Sequence, residues 1–227
     1  MTQAISKFAA LVPMKGHSER VPNKNLRLFG KKPLYHHIVG TLLQCPHVDC
    51  VYINTDSPQI ASDVAQNFKD RVRLIQRPKE ICGDFVSMNV VINHDLSQVE
   101  GKYFLQTHST NPLLKPETVT RAIETFLSHP ESDSLFGVNP FHGRFYDAKG
   151  DPINHNPEEM LRTQDLPPLF EENSNLYLFS RESFIKTGRR IGKRPILHPV
   201  SKLESIDIDT EEDFKLATFV YEYLKTT

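Results

Sequence analysis

Short apolar runs alternate with helical patterns along the first half of the chain, and this order restricts the fold more than any other feature. Residues 8–12, 48–54 and 72–75 each have the composition of a strand, and the segments between them repeat apolar side chains at helical spacing. The alternation continues to residue 138. Strands joined through helices pair in parallel by right-handed crossovers. The order predicts a single α/β domain over residues 1–227 with a mostly parallel sheet.

The composition is that of a globular protein. Apolar residues make up 38% of the 227 residues and charged residues 24%, which is enough for one sizeable core. The net charge of -1 and the short apolar runs lead us to expect no nucleic-acid or membrane partner. Residues 1–7 lack the features of a signal peptide, so we expect a cytoplasmic protein. Cys45, Cys50 and Cys82 lack metal-ligand spacing and are expected to be reduced thiols.

A basic loop follows the first strand, within a stretch that extends from residue 8 to residue 34. Gly16 and Ser18 occupy its first turn, and Glu19 is its only acidic residue. Backbone N–H groups and ammonium groups on such a loop can converge on phosphate oxygens, which favours an anionic ligand. A solvated surface loop is the alternative interpretation. The cations of this loop are Lys15, Arg20, Lys24, Arg27, Lys31 and Lys32.

Two aspartates near the end of the sequence form the second strong signal. If residues 205–209 are extended, Asp207 and Asp209 point to one face, while Ile206 and Ile208 anchor the other face in the core. Two carboxylates on one face repel each other unless a cation lies between them. Mg²⁺ typically takes one or two carboxylates together with phosphate oxygens and water. The pair therefore predicts a magnesium site rather than the decoration of a strand edge.

Polar residues follow two other strands at their carboxyl ends. In open α/β sheets ligands bind beyond these ends, so Gln106 and the hydroxyl-rich turn after it are site candidates. His108 in that turn is either a ligand contact or a histidine bonded to the backbone. Arg77 follows the strand at residues 72–75 and, on its own, is more typical of a surface arginine.

The regular alternation stops after residue 138. Residues 139–172, which we call the excursion, are rich in Pro, Gly, Asn, Phe and charged residues with weak periodicity. Such a segment is typical of a lid, a binding excursion or a subunit contact. A strand at residues 175–179 and a short helix before Gly188 follow. Residues 188–194 form the densest basic run; they either hold a phosphate or an acidic sugar or, as the favoured interpretation, form a solvated loop.

The first loop and the acidic pair together resemble a known family. Cytidylyltransferases that make CMP-sialic acid and CMP-Kdo have a signature similar to Val12-Pro13-x-Lys15-Gly16-x-Ser18, Pro22-x-Lys24-Asn25 and Gly30-Lys31-Lys32-Pro33-Leu34. Their metal-binding segment resembles Ile206-Asp207-Ile208-Asp209-Thr210. The chain departs from the family at Lys15, where Arg is usual, at His17, where a second Gly is common, and in the spacing after Gln106.

This resemblance implies a Rossmann-like three-layer nucleotidyltransferase fold. It also implies that the anomeric hydroxyl of an acidic keto-deoxy sugar attacks the α-phosphorus of CTP and releases pyrophosphate. Mg²⁺ on the acidic pair would bridge the phosphates. The residues implied in catalysis are Lys24, Asp207 and Asp209. Those implied in nucleotide binding are Lys15, Gly16, Ser18, Arg20, Lys24, Asn25, Arg77 and Ser87. Gln106 and Arg162 would orient the sugar, and the excursion would form a homodimer.

Two alternatives remain open from the sequence. One is transfer to a different acceptor, such as Kdo, another nonulosonic acid or a phosphonate, because the spacing after Gln106 departs from the family. The other is a catalytically silent nucleotide-binding protein on the same scaffold. The presence of both Asp207 and Asp209 argues against it, since binding alone does not require two metal ligands.

Overall fold

The structure, a computed structural model, describes residues 6–226. The strands within these residues are β1 (Phe8–Met14), β2 (Leu28–Phe29), β3 (Lys32–Pro33), β4 (Val48–Thr55), β5 (Val72–Gln76), β6 (Tyr103–Thr107), β7 (Ser134–Phe141), β8 (Leu169–Ser180) and β9 (Pro195–Pro199). The α-helices are α1 (Leu34–Gln44), α2 (Pro58–Asn67), α3 (Met88–Gln98), α4 (Pro116–Ser128), α5 (Arg181–Thr187) and α6 (Glu211–Thr226).

The longer strands of this part of the chain form one seven-stranded sheet in the order β5-β4-β1-β6-β8-β7-β9, and β2 and β3 form a separate hairpin. β1 pairs in parallel with β4 and β6, β4 with β5, and β7 with β9. β8 runs antiparallel between β6 and β7. The prediction of a mostly parallel sheet is therefore confirmed. The parallel strands place the loops after β1, β5 and β6 at one edge of the sheet.

Helices cover both faces of the sheet, which gives the three layers expected from the sequence. Alternate side chains of β1 point in opposite directions. Phe8, Ala10 and Val12 belong to a core cluster with α1, α2 and α4, whereas Ala9 and Leu11 pack with α3 and α5. A third cluster packs α6 against the β2–β3 hairpin.

Local sequence explains where several helices begin and end. Ser57 caps α2 by accepting a hydrogen bond from a backbone N–H one turn later, and Pro58 occupies the first helical position. Gly188 ends α5 in the left-handed conformation, with φ 68° and ψ 15°. The sequence predicted that α3 begins at residue 85. The helix instead begins at Met88, because Ser87 is its cap. No helix within residues 6–226 has the length and apolarity that are needed to span a membrane.

Strand boundaries beyond residue 138 need correction. β8 begins at Leu169, before the predicted strand at residues 175–179, and its outer end pairs with the end of β7. Both ends of the excursion therefore belong to strands. They are joined by backbone hydrogen bonds, and the side chains at the start of β8 are largely exposed, so they leave no apolar pattern in the sequence. β9 was not predicted for the same reason, since His198 is its only buried residue.

Candidate active site

A cleft of about 520 Å³ lies at the carboxyl edge of the sheet, where the loops after β1, β5 and β6 meet residues 207 and 209. This is the usual position of ligand sites in open α/β sheets. The predicted site residues that line the cleft are Lys15, Ser18, Arg20, Lys24, Asn25, Arg77, Asp207 and Asp209. The predicted site residues outside its lining are Gly16, Ser87, Gln106 and Arg162.

The basic loop and the acidic pair meet in this cleft. Asp209 Oδ1 lies 3.0 Å from Nη2 of Arg20 and 3.5 Å from Nζ of Lys24. Lys24 Nζ also donates a hydrogen bond to the carbonyl oxygen of Ile208 at 2.6 Å. The Lys24 side chain is 13% exposed, so this cation is held in place rather than free in solvent. Two sequence signals 185 residues apart therefore form one site.

The segment that contains Asp207 and Asp209 is fixed in position without pairing with a strand of the sheet. Residues 205–209 do not form a strand, yet the expected alternation is present, since Ile208 is fully buried and Asp207 and Asp209 line the cleft. Ile208 N donates to the carbonyl oxygen of Thr110 at 3.0 Å. This bond fixes the segment to the loop after β6, so that both carboxylates lie in the cleft.

The chemistry of the acidic pair fits a divalent cation. Oδ1 of Asp207 is buried and has no hydrogen-bond partner within the described residues. Burial raises the pKa of Asp207, a hydrogen bond with Thr110 opposes the rise, and the charge of Asp209 adds to it. A cation at the pair would satisfy the free oxygen and remove the repulsion. Two carboxylates are within the number that Mg²⁺ typically takes from a protein. Residues 6–226 contain no group of three or more His, Cys, Asp or Glu side chains suited to a metal.

Two residues of the first loop fix its shape. Asn25 is buried, and its Nδ2 donates to the carbonyl oxygen of Lys15 at 3.1 Å, while its Oδ1 accepts from Ser109 Oγ at 2.7 Å. Gly16 N donates to Asp56 Oδ1 at 2.7 Å. A Cβ at Gly16 would approach the N-cap side chain of α2 to 2.9 Å, so this close approach requires glycine. The internal bonds of both residues hold the loop against its neighbours.

An exposed ion pair crosses the cleft. Lys15 Nζ lies 2.6 Å from Asp84 Oδ1, which joins the loop after β1 to the loop before α3. The hydrogen bond and charge of Lys15 lower the pKa of Asp84. Both side chains are about half exposed, so solvent screens the pair and Lys15 can exchange this contact for a phosphate. Ser87 lies close by but caps α3, with its Oγ accepting from Asn89 N.

Comparison with known proteins identifies the family. Residues 9–226 match a protein-family model described as Cytidylyltransferase. The chain belongs to the cytidylyltransferase family. The resemblance carried by the first loop and the acidic pair is therefore confirmed at the level of the family.

Curated relatives of this cytidylyltransferase match most of the chain at low identity. CMP-N,N'-diacetyllegionaminic acid synthase of Legionella pneumophila is 28% identical over 227 residues, with 92% of this chain and 94% of that protein covered. N-acylneuraminate cytidylyltransferase of Streptococcus agalactiae is 24% identical over 216 residues, with 92% of this chain and 52% of that protein covered. The chain thus spans about half the length of the Streptococcus relative.

A solved structure supports the fold. The structure of CMP:2-keto-3-deoxy-manno-octonic acid synthetase complexed with CTP matches this cytidylyltransferase with a TM-score of 0.71, covering 96% of this chain and 100% of that one. The two sequences are 14% identical, so the match concerns the fold alone. It confirms the predicted nucleotidyltransferase architecture.

Arg77 of this cytidylyltransferase is part of the cleft wall rather than a surface arginine. It is 5% exposed, and its Nε and Nη2 donate to the side-chain and main-chain oxygens of Asn54 at 2.6 and 3.1 Å. Asn54 in turn donates to the fully buried Asp95. Burial lowers the pKa of Arg77, and the charges of Asp56 and Asp95 oppose this change. A buried series of hydrogen bonds, from Asp95 through Asn54, thus orients the guanidinium of Arg77.

Gln106 is fully buried beside the cleft and accepts a hydrogen bond from Arg190, with 2.5 Å between Oε1 and Nη1. Arg190 belongs to the basic run at residues 188–194, for which a solvated loop was the favoured interpretation. Instead its guanidinium carbon lies 3.5 Å from the centre of the Tyr177 ring. Sequence reasoning singled out the run but not this residue, because local composition does not show which cation of a run turns inward.

Arg162 lies in the excursion and pairs with its neighbour Asp165, with 2.7 Å between Nε and Oδ2. The two side chains are 72% and 42% exposed. Within one chain Arg162 is therefore an exposed residue paired with a nearby acid. Its sugar-binding role stays a prediction, and it depends on the excursion reaching the site of a second subunit.

Proposed function

We propose that the protein transfers CMP from CTP to the anomeric hydroxyl of an acidic keto-deoxy sugar and releases pyrophosphate. The observation that carries the proposal is the position of Asp209 beside Arg20 and Lys24 in a single cleft. This combination of fixed cations and carboxylates suits a triphosphate with a bound divalent cation. The family match and the activities for which the relatives are named support the same function.

In this proposal the first loop stabilises charge on the phosphates. Lys15, Arg20 and Lys24 would contact the triphosphate and balance the charge that grows as pyrophosphate leaves. Lys24 is oriented before the reaction by the carbonyl oxygen of Ile208, so little reorganisation is needed. When bound at Asp207 and Asp209, Mg²⁺ would supply Lewis acidity and lower the pKa of the attacking hydroxyl. We assign no side-chain general base.

We assign the cytosine and ribose to the part of the cleft near Arg77. Apolar side chains of Ile81, Val86 and Met88, which follow Arg77 in the chain, also line the cleft, and they suit a flat base. Cytosine also offers a carbonyl oxygen that a guanidinium can bind. The proposed contacts of Asn25 and Ser87 with the nucleotide remain predictions, since each is already hydrogen-bonded within the chain.

The acceptor in the proposal is a nonulosonic acid. The Legionella and Streptococcus relatives are named for N,N'-diacetyllegionaminic acid and N-acylneuraminate, and they cover 92% of this chain. Kdo is the second candidate, because the fold match to its CMP synthetase does not distinguish between acceptors.

We further propose that the protein acts in the cytoplasm as a homodimer formed through the excursion. Large apolar side chains are exposed there, and they suit burial against a second copy. These side chains are Tyr146, Ile153, Met160, Leu161 and Phe170.

A pyrophosphate-release assay tests the function. CTP, UTP, ATP and GTP are each offered with N-acetylneuraminic acid, N,N'-diacetyllegionaminic acid and Kdo in the presence of Mg²⁺. We expect release with CTP and at least one of these acids. No release with any pairing would favour the silent nucleotide-binding alternative, and release with UTP, ATP or GTP alone would contradict the assignment of cytosine.

The acidic pair is tested by Asp209→Asn. We expect turnover to fall by at least ~100-fold, because a ligand of the proposed metal and the partner of Arg20 loses its charge. The thermal unfolding midpoint should change little, since the side chain is 47% exposed. Asp70→Asn is the matched control, because Asp70 is exposed and precedes β5 at the opposite edge of the sheet. Normal turnover by Asp209→Asn would place the metal elsewhere.

A further inference from the structure

The basic run at residues 188–194 is anchored at its backbone. Arg190 N donates to Asn89 Oδ1 at 3.2 Å, and Gly192 N donates to Ser134 Oγ at 2.8 Å. The next two amides, of residues 193 and 194, donate to the carboxylate of Asp133 at 2.8 and 3.0 Å. These bonds come from α3 and from the start of β7. They fix the path of the run, so the inward position of Arg190 is imposed by the fold.

The guanidinium of Arg190 lies among polar and aromatic side chains beside the cleft. Its side chain is 16% exposed. Nη1 donates to Gln106 Oε1 at 2.5 Å and lies 3.4 Å from Nε2 of His108, and the group stacks on the ring of Tyr177. His108 itself lines the cleft, so the guanidinium of Arg190 adjoins the proposed CTP site through this histidine.

The charge of Arg190 is not balanced by a hydrogen-bonded carboxylate. Within residues 6–226, the only carboxylate within 4 Å is that of Glu172, with 3.7 Å between Nη2 and Oε1. Glu172 Oε1 accepts the hydrogen bond of the Tyr177 hydroxyl instead. His108 adds no charge, because burial and then Arg190 lower its pKa to about 4. Burial also lowers the pKa of Arg190, so an anion close to the guanidinium would be stabilised.

We propose that Arg190 binds the carboxylate of the acceptor sugar and thereby selects acids over neutral sugars. A guanidinium offers parallel donors that match a carboxylate, and Gln106 Oε1 accepts from only one of them, while Glu172 Oε1 lies 3.7 Å from Nη2. Gln106 then orients Arg190 rather than contacting the carboxylate itself. The inference rests on the proposed function, and it assigns to Arg190 the contact that the resemblance implied for Arg162.

The test compares an acid with its methyl ester. The acceptor is the acid that gives the highest turnover in the panel above, and the ester removes the carboxylate charge while it leaves the rest of the sugar unchanged. In Arg190→Gln, the ratio of kcat/KM for the acid to that for the ester should fall by about 10- to 100-fold. KM for CTP should stay within about twofold. Arg190→Lys keeps the charge but lacks the paired donors of a guanidinium, so its acid-to-ester ratio should lie between those of the wild type and Arg190→Gln.

Arg189→Gln is the matched control, since Arg189 is the exposed neighbour of Arg190. It should keep the wild-type ratio, and Arg162→Gln should keep it too. An unchanged ratio in Arg190→Gln, or a collapse of the ratio in Arg162→Gln alone, would overturn the inference and leave the proposed function intact. If Arg190→Gln fails to fold, Arg190→Lys decides by the same ratio. Absence of pyrophosphate release by the wild type with every acid would instead refute the proposed function, and this inference with it.

Discussion

The buried carboxyl group of Asp95 makes stability depend on pH in a way that can be measured. Asp95 lies in α3, is 0% exposed and accepts a hydrogen bond from Asn54 Nδ2. Its Oδ2 has no partner within the described residues. Burial raises the pKa of Asp95 from 3.8 to about 7, although the Asn54 hydrogen bond and the charge of Arg77 oppose the rise.

The direction of the effect follows from the two pKa values of Asp95. Between pH 3.8 and about 7, the unfolded chain releases this proton while the folded protein retains it, so the free energy of unfolding falls as the pH rises. The slope is about 1.4 kcal/mol per pH unit inside this window and vanishes above it. Across the window the loss amounts to ~4 kcal/mol as an upper limit.

Asp95→Asn removes the titration but keeps an oxygen that can accept the Asn54 hydrogen bond. We expect the free energy of unfolding of the variant, relative to that of the wild type, to rise by ~2.5 kcal/mol from pH 5 to pH 8, because only the wild type must ionise a buried group. Urea titrations followed by circular dichroism at pH 5, 6, 7 and 8 measure this gain. Asp70→Asn, at an exposed site, should show no such trend. A constant difference between Asp95→Asn and wild type over this range would refute the reasoning.

Two further predictions concern the core and the assembly. Leu178→Ala should lower the free energy of unfolding in urea by ~2–5 kcal/mol, because Leu178 is fully buried where β8 pairs with β6 and β7. Leu216→Ala, at a 53% exposed position, should change it by less than ~0.5 kcal/mol. Sedimentation equilibrium should give twice the chain mass of 26.0 kDa for the wild type and a lower mass for Met160→Glu combined with Leu161→Glu. An active wild-type monomer would contradict the homodimer.

The parallel part of the fold can be predicted because its strands are buried on both faces. β1 is buried at every position, and β4 and β6 are nearly so, so each forms a short apolar run between helical patterns. β9 and the outer part of β8 differ, since most of their side chains there are exposed. Their place in the sheet depends on backbone hydrogen bonds with β7, which involve no particular residue type.

The same distinction applies to the site. Lys24 and Asp209 occur in segments whose residue order is specific, and both lie in loops at the carboxyl edge of a parallel sheet. Arg190 has no such signal. Its burial depends on acceptors at Asn89 and Asp133, which are distant in the chain, so the composition of the run alone does not predict its contacts.

The reversed direction of β8 links the excursion to the side of the cleft where Arg190 lies. Gln106 and Tyr177 lie opposite each other in the β6–β8 pairing, and both contact Arg190. Because β8 is antiparallel to β6, it begins, directly after the excursion, at the edge of the sheet where the cleft lies. Near this beginning, Glu172 accepts the hydrogen bond of the Tyr177 hydroxyl. A parallel strand here would enter from the opposite edge. One reversed strand thus leaves the cleft to the loops of the parallel strands and brings the least regular segment of the chain next to Arg190, where we propose that the acceptor binds.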